Sequence, residues 1–325
     1  MAISADTYIP TLTNWLRADE LKPGDYVYGP DGLPKKIKSI QKYTPTEMYE
    51  VDLGQGLSVQ GDKHLSFELE TYTYREHDWR SKKRQARNKL KKESVMTLLS
   101  KGLKHKLKPR LEYSIPNTQP IQYRYEDYPV PPFIMGYWYG GTTKYSRLYA
   151  TGDKQEIVRN KLLDLGYTCK VIAKKHLQTT PNIPKTLRLY YGEVPNQIPI
   201  EYFFGSVEQR LELLRGFLLS RETSYHAKDD RYWVNSKNTG LISRIQGLCE
   251  SLGIRTVIHY TPTGKAHQMR FRTDLDLMHV RKPKPGIIGH KRRFVNNIVE
   301  IEPKPCVHIE TDGTFLAGEG YIAIC

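Results

Sequence analysis

Residues 291–325 read KRRFVNNIVEIEPKPCVHIETDGTFLAGEGYIAIC and switch every few residues between apolar runs and turn-forming residues. Runs rich in Val, Ile and Phe, bounded by Pro, Gly and Asp, are typical of short β-strands. The last run, 315–325, stays apolar up to the final residue of the chain. We therefore predict β-structure here, with a buried strand at its end.

The beginning of the chain has the same character. Residues 24–43, GDYVYGPDGLPKKIKSIQKY, place turn signals at 24–25 and 30–32 between runs rich in Val, Tyr and Ile. Residues 48–69, MYEVDLGQGLSVQGDKHLSFEL, repeat the pattern. Neither stretch has a helical period, so both are predicted to be β-rich.

The middle of the chain, residues 119–290, has helix-like apolar spacing at 131–143 and again at 210–224. Each of these stretches is followed by strand-like sequence and then by a second amphipathic helix, at 154–167 and at 239–254. Both second helices end in Leu-Gly, which is a common helix stop. The repeated order predicts an internal duplication of α/β units.

These patterns predict a multidomain protein in which an all-β unit is interrupted by an α/β unit. We assign residues 1–79 and 291–325 to the β unit, 80–118 to a basic linker that contacts DNA, and 119–290 to the α/β unit. Such an insertion requires the two flanking β parts to complete one fold. A length of 325 residues fits two domains of ordinary size.

Composition limits the class of protein. The chain is 38% hydrophobic and 26% charged, as expected for a soluble globular protein. Its longest strongly apolar stretch, 133–139, is too short to span a bilayer, and the N-terminus does not resemble a signal peptide. The four cysteines, Cys169, Cys249, Cys306 and Cys325, form no CxxC pair. We expect free thiols, a cytoplasmic monomer, no membrane partner, and neither a cofactor nor a bound metal.

The net charge of +15 is concentrated in one segment, because residues 80–110 contain thirteen Lys or Arg and one acid. One interpretation is a solvated surface segment. The favoured interpretation is contact with a polyanion, since clustered positive charge is costly without a partner. Double-stranded DNA is the expected partner, and the candidate contacts are Lys82, Lys83, Arg84, Arg87, Lys89, Lys91 and Lys92.

The β-rich flanks resemble inteins, the self-splicing proteins of the Hint fold. AISADTYIPT (2–11) resembles their first motif, DELKPGDYVYGPDG (19–32) the stretch that follows it, LSVQGDKHLSFE (57–68) the motif with a catalytic His, and KPCVHIETDGTFLAGEGYIAI (304–324) the last two motifs. The resemblance implies a horseshoe-shaped all-β fold. It also implies autocatalytic splicing by acyl shift, transesterification and Asn cyclisation, with the flanking exteins of a bacterial, archaeal or phage host protein as covalent partners.

The middle of the chain resembles a LAGLIDADG homing endonuclease, with PPFIMGYWYGG and LELLRGFLLSRE as its two signature helices. In that family the two helices pack at a pseudo-twofold axis, and Gly136 and Gly216 would allow their close approach. Alternatively, Gly136 is merely a tolerated helix glycine. The resemblance places the two metal-binding acids at Gly141 and Arg221, and neither residue can hold Mg²⁺. We therefore expect a degenerate nuclease that no longer cleaves DNA. DNA binding does not depend on these acids, because Lys and Arg can contact phosphates without a metal.

The resemblance places the first splicing nucleophile at Ala2, which has no nucleophilic atom. Three interpretations stay open. Ala2 is an engineered block, which is the favoured one, or the chain belongs to a class in which a downstream residue attacks directly, or the site has decayed. At the other end, Cys325 falls where inteins have the penultimate His, and we expect the natural precursor to continue with Asn. The alternative is that Cys325 is a retained downstream nucleophile.

The same resemblance assigns roles to residues inside the chain. His64 would polarise the upstream scissile amide by donating to its nitrogen. Three residues earlier, the family's usual Thr is replaced by Gly61, and Asp62 and Lys63 either compensate for it or are only turn residues.

Two further residues are candidates in the last motifs. His308 is a candidate for assisting proton transfer. Cys306 is either a nucleophile in an unusual splicing class or, in the favoured interpretation, a buried strand cysteine. The alternative function for the whole chain is a stand-alone DNA-binding or DNA-cleaving relic of a homing endonuclease without splicing.

Overall fold

The computed structural model describes residues 1–72, 90–141, 147–149, 153–173, 176–220, 223–226, 231–260, 267–273, 275, 277 and 292–325. Its chain divides into two compact units. The β-rich unit is Met1–Gln122 with His290–Cys325, and the α/β unit is Tyr123–Gly289. No helix among the described residues is long and apolar enough to cross a membrane.

The β-rich unit consists mainly of short strands, and its described residues also form the α-helix Val95–Lys101 and the 3-10 helix Ala18–Glu20. Its N-terminal part contains β1 (Ile3–Ser4), β2 (Tyr8–Pro10), β3 (Trp15–Arg17), β4 (Tyr26–Tyr28), β5 (Pro34–Lys36), β6 (Ser39–Tyr43), β7 (Met48–Asp52), β8 (Ser58–Asp62), β9 (Ser66–Thr71), β10 (Lys91–Ser94), helix α1 (Val95–Lys101) and β11 (Tyr113–Pro116). Its C-terminal part contains β19 (Arg292–Phe294), β20 (Asn297–Ile301), β21 (Cys306–Glu310), β22 (Phe315–Ala317) and β23 (Ile322–Ile324).

Strands from both ends of the chain share one six-stranded sheet, in the order β20-β7-β8-β1-β21-β6. The first strand is antiparallel to β21, with Ile3 opposite Val307 and Ser4 opposite Cys306. Alternate residues of β21, including Val307 and Ile309, are buried in the core of this unit. The prediction that the two β flanks complete one fold is confirmed.

The segment 80–118, expected to be a linker, contributes in its described part to this unit. Strand β10 pairs with β9, and β11 lies between β9 and β19 in the order β10-β9-β11-β19. Val95 and Leu98 on α1 are buried in the same core. Residues 90–118 are therefore held by backbone pairing and apolar packing as part of the β-rich unit.

The α/β unit contains helices α2 (Pro132–Gly140), α3 (Asp153–Asp164), α4 (Ile183–Tyr191), α5 (Val207–Leu219) and α6 (Thr239–Ser251). Its strands are β12 (Arg147–Tyr149), β13 (Thr168–Ala173), β14 (His176–Thr180), β15 (Thr223–His226), β16 (Arg231–Ser236), β17 (Thr256–Tyr260) and β18 (His267–Phe271). They form the sheets β12-β14-β13 and β15-β16-β18-β17. Each half of the unit has a helix, then one or two described strands, a second helix and two further strands, in agreement with the predicted repeat.

Sequence reasoning missed α4. The Asn182 side chain accepts a hydrogen bond from the Lys185 N–H at the start of this helix, and Gly192 ends it in the left-handed conformation at φ 75°. Asn and Gly at these positions are ordinary helix start and stop signals. From these two signals, α4 could have been predicted.

Helices α2 and α5 pack against each other through glycine. A Cβ atom on Gly136 would overlap the Leu213 carbonyl oxygen, and one on Gly216 would overlap the Phe133 carbonyl oxygen. Backbone meets backbone at this contact, which only residues without a side chain permit. The expected close approach of the two signature helices is confirmed, and Gly136 is more than a tolerated helix glycine.

Candidate functional site

Ala2 lies in the β-rich unit, directly before β1, and is 1% exposed. The next residue, Ile3, is opposite Gly61 on β8 and Val307 on β21. A Cβ atom on Gly61 would overlap the Ala2 carbonyl oxygen. Glycine at this position therefore follows from the close approach of the Ala2 backbone.

Asp62 holds the Ala2 backbone from both sides. The Ala2 N–H donates to Asp62 Oδ1 over 3.0 Å, and the Asp62 N–H donates to the Ala2 carbonyl oxygen over 3.0 Å. The His64 N–H donates to the same Oδ1 over 3.1 Å, and the Tyr43 hydroxyl donates to Oδ2 over 2.7 Å. Both oxygens of this buried carboxylate are thus engaged, one of them by the nitrogen of the Met1–Ala2 peptide bond.

Tyr43 is held as a hydrogen-bond donor. Burial and the hydrogen bond to the Asp62 carboxylate both raise the pKa of Tyr43 well above its ordinary value. The phenol therefore keeps its proton throughout the physiological range. Tyr43 was not identified from the sequence, and Asp62 was considered only as a substitute for Thr or as a turn residue.

Cys306 is buried in a small cluster with Ala2 and Met48. Its Sγ lies 3.9 Å from Met48 Sδ. Burial, with a contribution from the Asp62 carboxylate, raises the pKa of Cys306 to about 11. At neutral pH this residue is a thiol, so it needs a base before it can act as a nucleophile.

A cavity of about 510 Å³ brings together three of the predicted catalytic residues, His64, His308 and Cys325. His64, His308, Cys325, Met1 and Lys92 all line it. The Met1 amino nitrogen is 3.3 Å from His308 Nδ1. Strand pairing causes this convergence, because β8, β1 and β21 are neighbours in one sheet.

The final residue is held beside the same cavity. The Cys325 N–H donates to the Ser66 carbonyl oxygen over 3.0 Å, and the Ser66 hydroxyl donates to the Cys325 carbonyl oxygen. Burial raises the pKa of the Cys325 thiol. Like Cys169, Cys249 and Cys306, Cys325 carries a free thiol. Met1 and Cys325, which lie at the two predicted junctions, therefore line the same cavity.

The predicted DNA contacts are placed only in part. Lys91 and Lys92 lie on β10, opposite Leu69 and Glu68, and Lys92 faces the cavity with His64. The following lie outside the described residues: Lys82, Lys83, Arg84, Arg87, Lys89 and Arg221.

Gly141, the first predicted acid position, is described. It directly follows α2, and its N–H donates to the Tyr137 carbonyl oxygen over 3.2 Å. A Cβ atom there would make only ordinary contact, at 3.4 Å from that oxygen. The position has room for a side chain but supplies no carboxylate.

A basic and aromatic surface on the sheet of β15 to β18 was not found from the sequence. Trp233 stacks on His226 with ring centroids 4.1 Å apart, and the Arg270 guanidinium lies 4.4 Å from the Trp233 ring centroid. On the opposite face of the same strand, Tyr232 and Val234 are fully buried. The alternation in RYWVNS (231–236) was the available signal.

Comparison with known proteins places these observations in context. No family model matches the chain. A replicative DNA helicase DnaB from Mycobacterium intracellulare is 24% identical over 333 residues, which cover 95% of this chain and 54% of the helicase. The chain thus spans about half the length of that relative.

Two kinds of solved structure are similar to the chain. The crystal structure of the MchDnaB-1 intein is 24% identical, with a TM-score of 0.20, over 21% of this chain and 52% of that one. The N-terminal LAGLIDADG domain of DUF199/WhiA is 13% identical, with a TM-score of 0.33, over 45% of this chain and 76% of that one. These two structures are of the kinds that the motifs of the chain indicated, an intein and a LAGLIDADG domain.

Proposed function

We propose that the β-rich unit carries out protein splicing chemistry at the Met1–Ala2 bond, with Cys306 as the nucleophile. The observation that carries the proposal is the burial of Cys306 against Ala2, in a site where Asp62 binds the nitrogen of that bond. Ala2 has no nucleophilic atom of its own. A thiol already packed beside it favours attack by another residue over an engineered block.

In this reaction the Cys306 sulfur attacks the Met1 carbonyl carbon. A carbon–sulfur bond forms, the bond from that carbon to the Ala2 nitrogen breaks, and the products are a thioester and the free α-amine of Ala2. His64 and His308 line the adjoining cavity with Cys325. Their position supports proton transfer at a second junction, where the flanking exteins would be joined.

The test is a precursor with reporter polypeptides at both ends and Asn plus a nucleophilic residue after Cys325. With Ala2 retained, we expect a ligated reporter product and, on adding a thiol, release of the upstream reporter at Met1–Ala2, seen by gel and mass spectrometry. Release that occurs only after Ala2→Cys would contradict attack by Cys306. No release or ligation from either precursor would refute the splicing function.

We further propose that the α/β unit binds double-stranded DNA without cutting it. The specific observation is the surface of Trp233, His226 and Arg270, which combines aromatic rings with a cationic group. Cationic side chains contact phosphates without any metal. Gly141 supplies no metal-binding oxygen from its side chain, which supports the loss of cleavage.

Arg270→Ala is expected to weaken DNA binding roughly tenfold and to reduce its salt dependence. The matched control is Arg188→Ala, which removes an exposed arginine from α4 and should leave affinity unchanged. Fluorescence anisotropy at several salt concentrations measures both effects, and gels with added Mg²⁺ or Mn²⁺ should show intact DNA. Equal loss of affinity in the two variants, or metal-dependent cleavage, would contradict this proposal.

A further inference from the structure

Asp62 is a buried carboxylate for which the reaction above has no role. It is 3% exposed, and its hydrogen bonds come from the Ala2 nitrogen, the His64 backbone and the Tyr43 hydroxyl. A buried carboxylate is costly unless it is well hydrogen-bonded. Because Asp62 is bound to the nitrogen of the peptide bond that breaks, it is a candidate for a role in the reaction as well as in folding.

The hydrogen bond between Asp62 and Tyr43 connects two strands that are not neighbours in the sheet. Asp62 is on β8 and Tyr43 is on β6, and two strands, β1 and β21, separate them in the sheet. Tyr43 is directly opposite Cys306 in the pairing of β21 with β6. The carboxylate and phenol are thus joined across the two strands that carry Ile3 and Cys306.

We propose that Asp62 is a catalytic residue that carries the proton from the Cys306 thiol to the Ala2 nitrogen. This inference rests on the proposed function. The carboxylate takes the thiol proton as sulfur attacks the Met1 carbonyl carbon. The neutral carboxyl group then gives this proton to the Ala2 nitrogen as the carbon–nitrogen bond breaks, which regenerates the carboxylate. Tyr43 is a positioning residue that fixes the second carboxylate oxygen.

Geometry favours Asp62 over His64 for this role. The Ala2 N–H donates to Asp62 Oδ1, whereas His64 reaches that oxygen only through its backbone N–H and has an exposed side chain. The Asp62 carboxylate also contributes to the raised pKa of Cys306, as expected for two groups that cannot both be anionic at low cost. Transfer of the thiol proton to Asp62 avoids that pair of negative charges.

Asp62→Asn tests the proposal, since the amide keeps an oxygen for the Ala2 N–H but cannot carry the proton. In the precursor with Ala2 retained, we expect thiol-induced release of the upstream reporter to slow by about 10²-fold to 10³-fold at pH 7. The matched control is Glu50→Gln, which alters another hydrogen-bonded carboxylate in the same sheet and should leave the rate unchanged.

The pH dependence separates catalysis from a structural role. Without Asp62, attack depends on spontaneous ionisation of Cys306, so the rate of Asp62→Asn should rise about tenfold per pH unit from pH 7 to 9 and approach the unmodified rate. The ionisable groups around Cys306 are Tyr43, Asp6, Lys304 and, two residues along its strand, His308. The unmodified precursor and Asp62→Asn both contain these groups. Any effect of the groups on the release rate is therefore the same in both and does not change the ratio of the two rates. A purely structural loss would leave this ratio constant.

The outcomes distinguish the two proposals. If the unmodified precursor releases no reporter, the splicing proposal fails. If it does release the reporter, two results would refute the role of Asp62. One is a release rate of Asp62→Asn within threefold of the unmodified rate at pH 7, and the other is a ratio of the two rates that stays constant from pH 7 to 9. If Asp62→Asn loses its cooperative thermal transition, this variant is not folded, and the release rate of Tyr43→Phe is measured in its place. Release slowed by about tenfold supports the relay, and unchanged release overturns it.

Discussion

Cys306→Ala is expected to abolish thiol-induced release of the upstream reporter at Met1–Ala2, with a fall in rate of more than about a thousandfold. The substitution removes the sulfur of the cysteine that is buried in one cluster with Ala2 and leaves the hydrogen bonds between Asp62 and the Ala2 backbone in place. No other described thiol shares that contact. The measurement is the rate of reporter release with dithiothreitol, followed by mass spectrometry of the released end.

Three substitutions serve as controls. Cys169→Ala changes a cysteine of the α/β unit and should leave the rate unchanged, and Cys325→Ala should not affect release at Met1–Ala2. Cys306→Ser keeps the shape and a weaker nucleophile, and any intermediate would be an ester that hydroxylamine cleaves. Undiminished release from a folded Cys306→Ala protein would refute the role of Cys306.

Gly216→Ala is expected to reduce the free energy of unfolding of the α/β unit by about 3 kcal/mol. The new methyl group would overlap the Phe133 carbonyl oxygen and crowd the Tyr137 nitrogen, and both atoms belong to the backbone of α2. A rotamer change cannot relieve this overlap, so the two helices must move apart and lose their packing. Denaturant titration followed by circular dichroism measures the loss.

Gly247→Ala is the matched control, because Gly247 also lies inside a helix, α6, but a Cβ atom there would have no atom within 4 Å. Without a clash, the higher helix propensity of alanine should raise the free energy of unfolding by up to about 1 kcal/mol. Opposite signs for the two glycines are the expected result. A neutral Gly216→Ala would show that the helix pair does not depend on this contact.

Much of the fold could be predicted from local sequence patterns. The β-rich ends, the repeated α/β order and the glycines of the helix contact are all visible as short periodic runs and turn residues. The helix boundaries differ from the predicted ones by a few residues, as for 131–143, which forms Pro132–Gly140. Helix α4 was missed because its start and stop signals, Asn182 and Gly192, were not used.

The candidate site was only partly predictable. His64, His308 and Cys325 were identified from motifs, and the structure places them on one cavity. Cys306 was judged to be a structural cysteine, since an apolar strand context by itself says nothing about what packs against it. The charge pattern predicted that DNA contacts lie in the basic segment 80–110. The described aromatic and cationic surface is formed instead by Trp233 and Arg270.

The sequence by itself determined the strand and helix periods and the internal repeat. It also determined that Ala2 has no nucleophile and that Gly141 has no carboxylate. These are properties of residue type and local spacing. Only the tertiary structure decided that Asp62 binds both the Ala2 N–H and the Tyr43 hydroxyl, and that Cys306 is buried in one cluster with Ala2. Antiparallel pairing of β1 with β8 and β21 joins segments that are as far as 304 residues apart, as Ile3 and Val307 are. Sheet register, which depends on burial of whole faces, brings such distant residues together, and no local pattern encodes it.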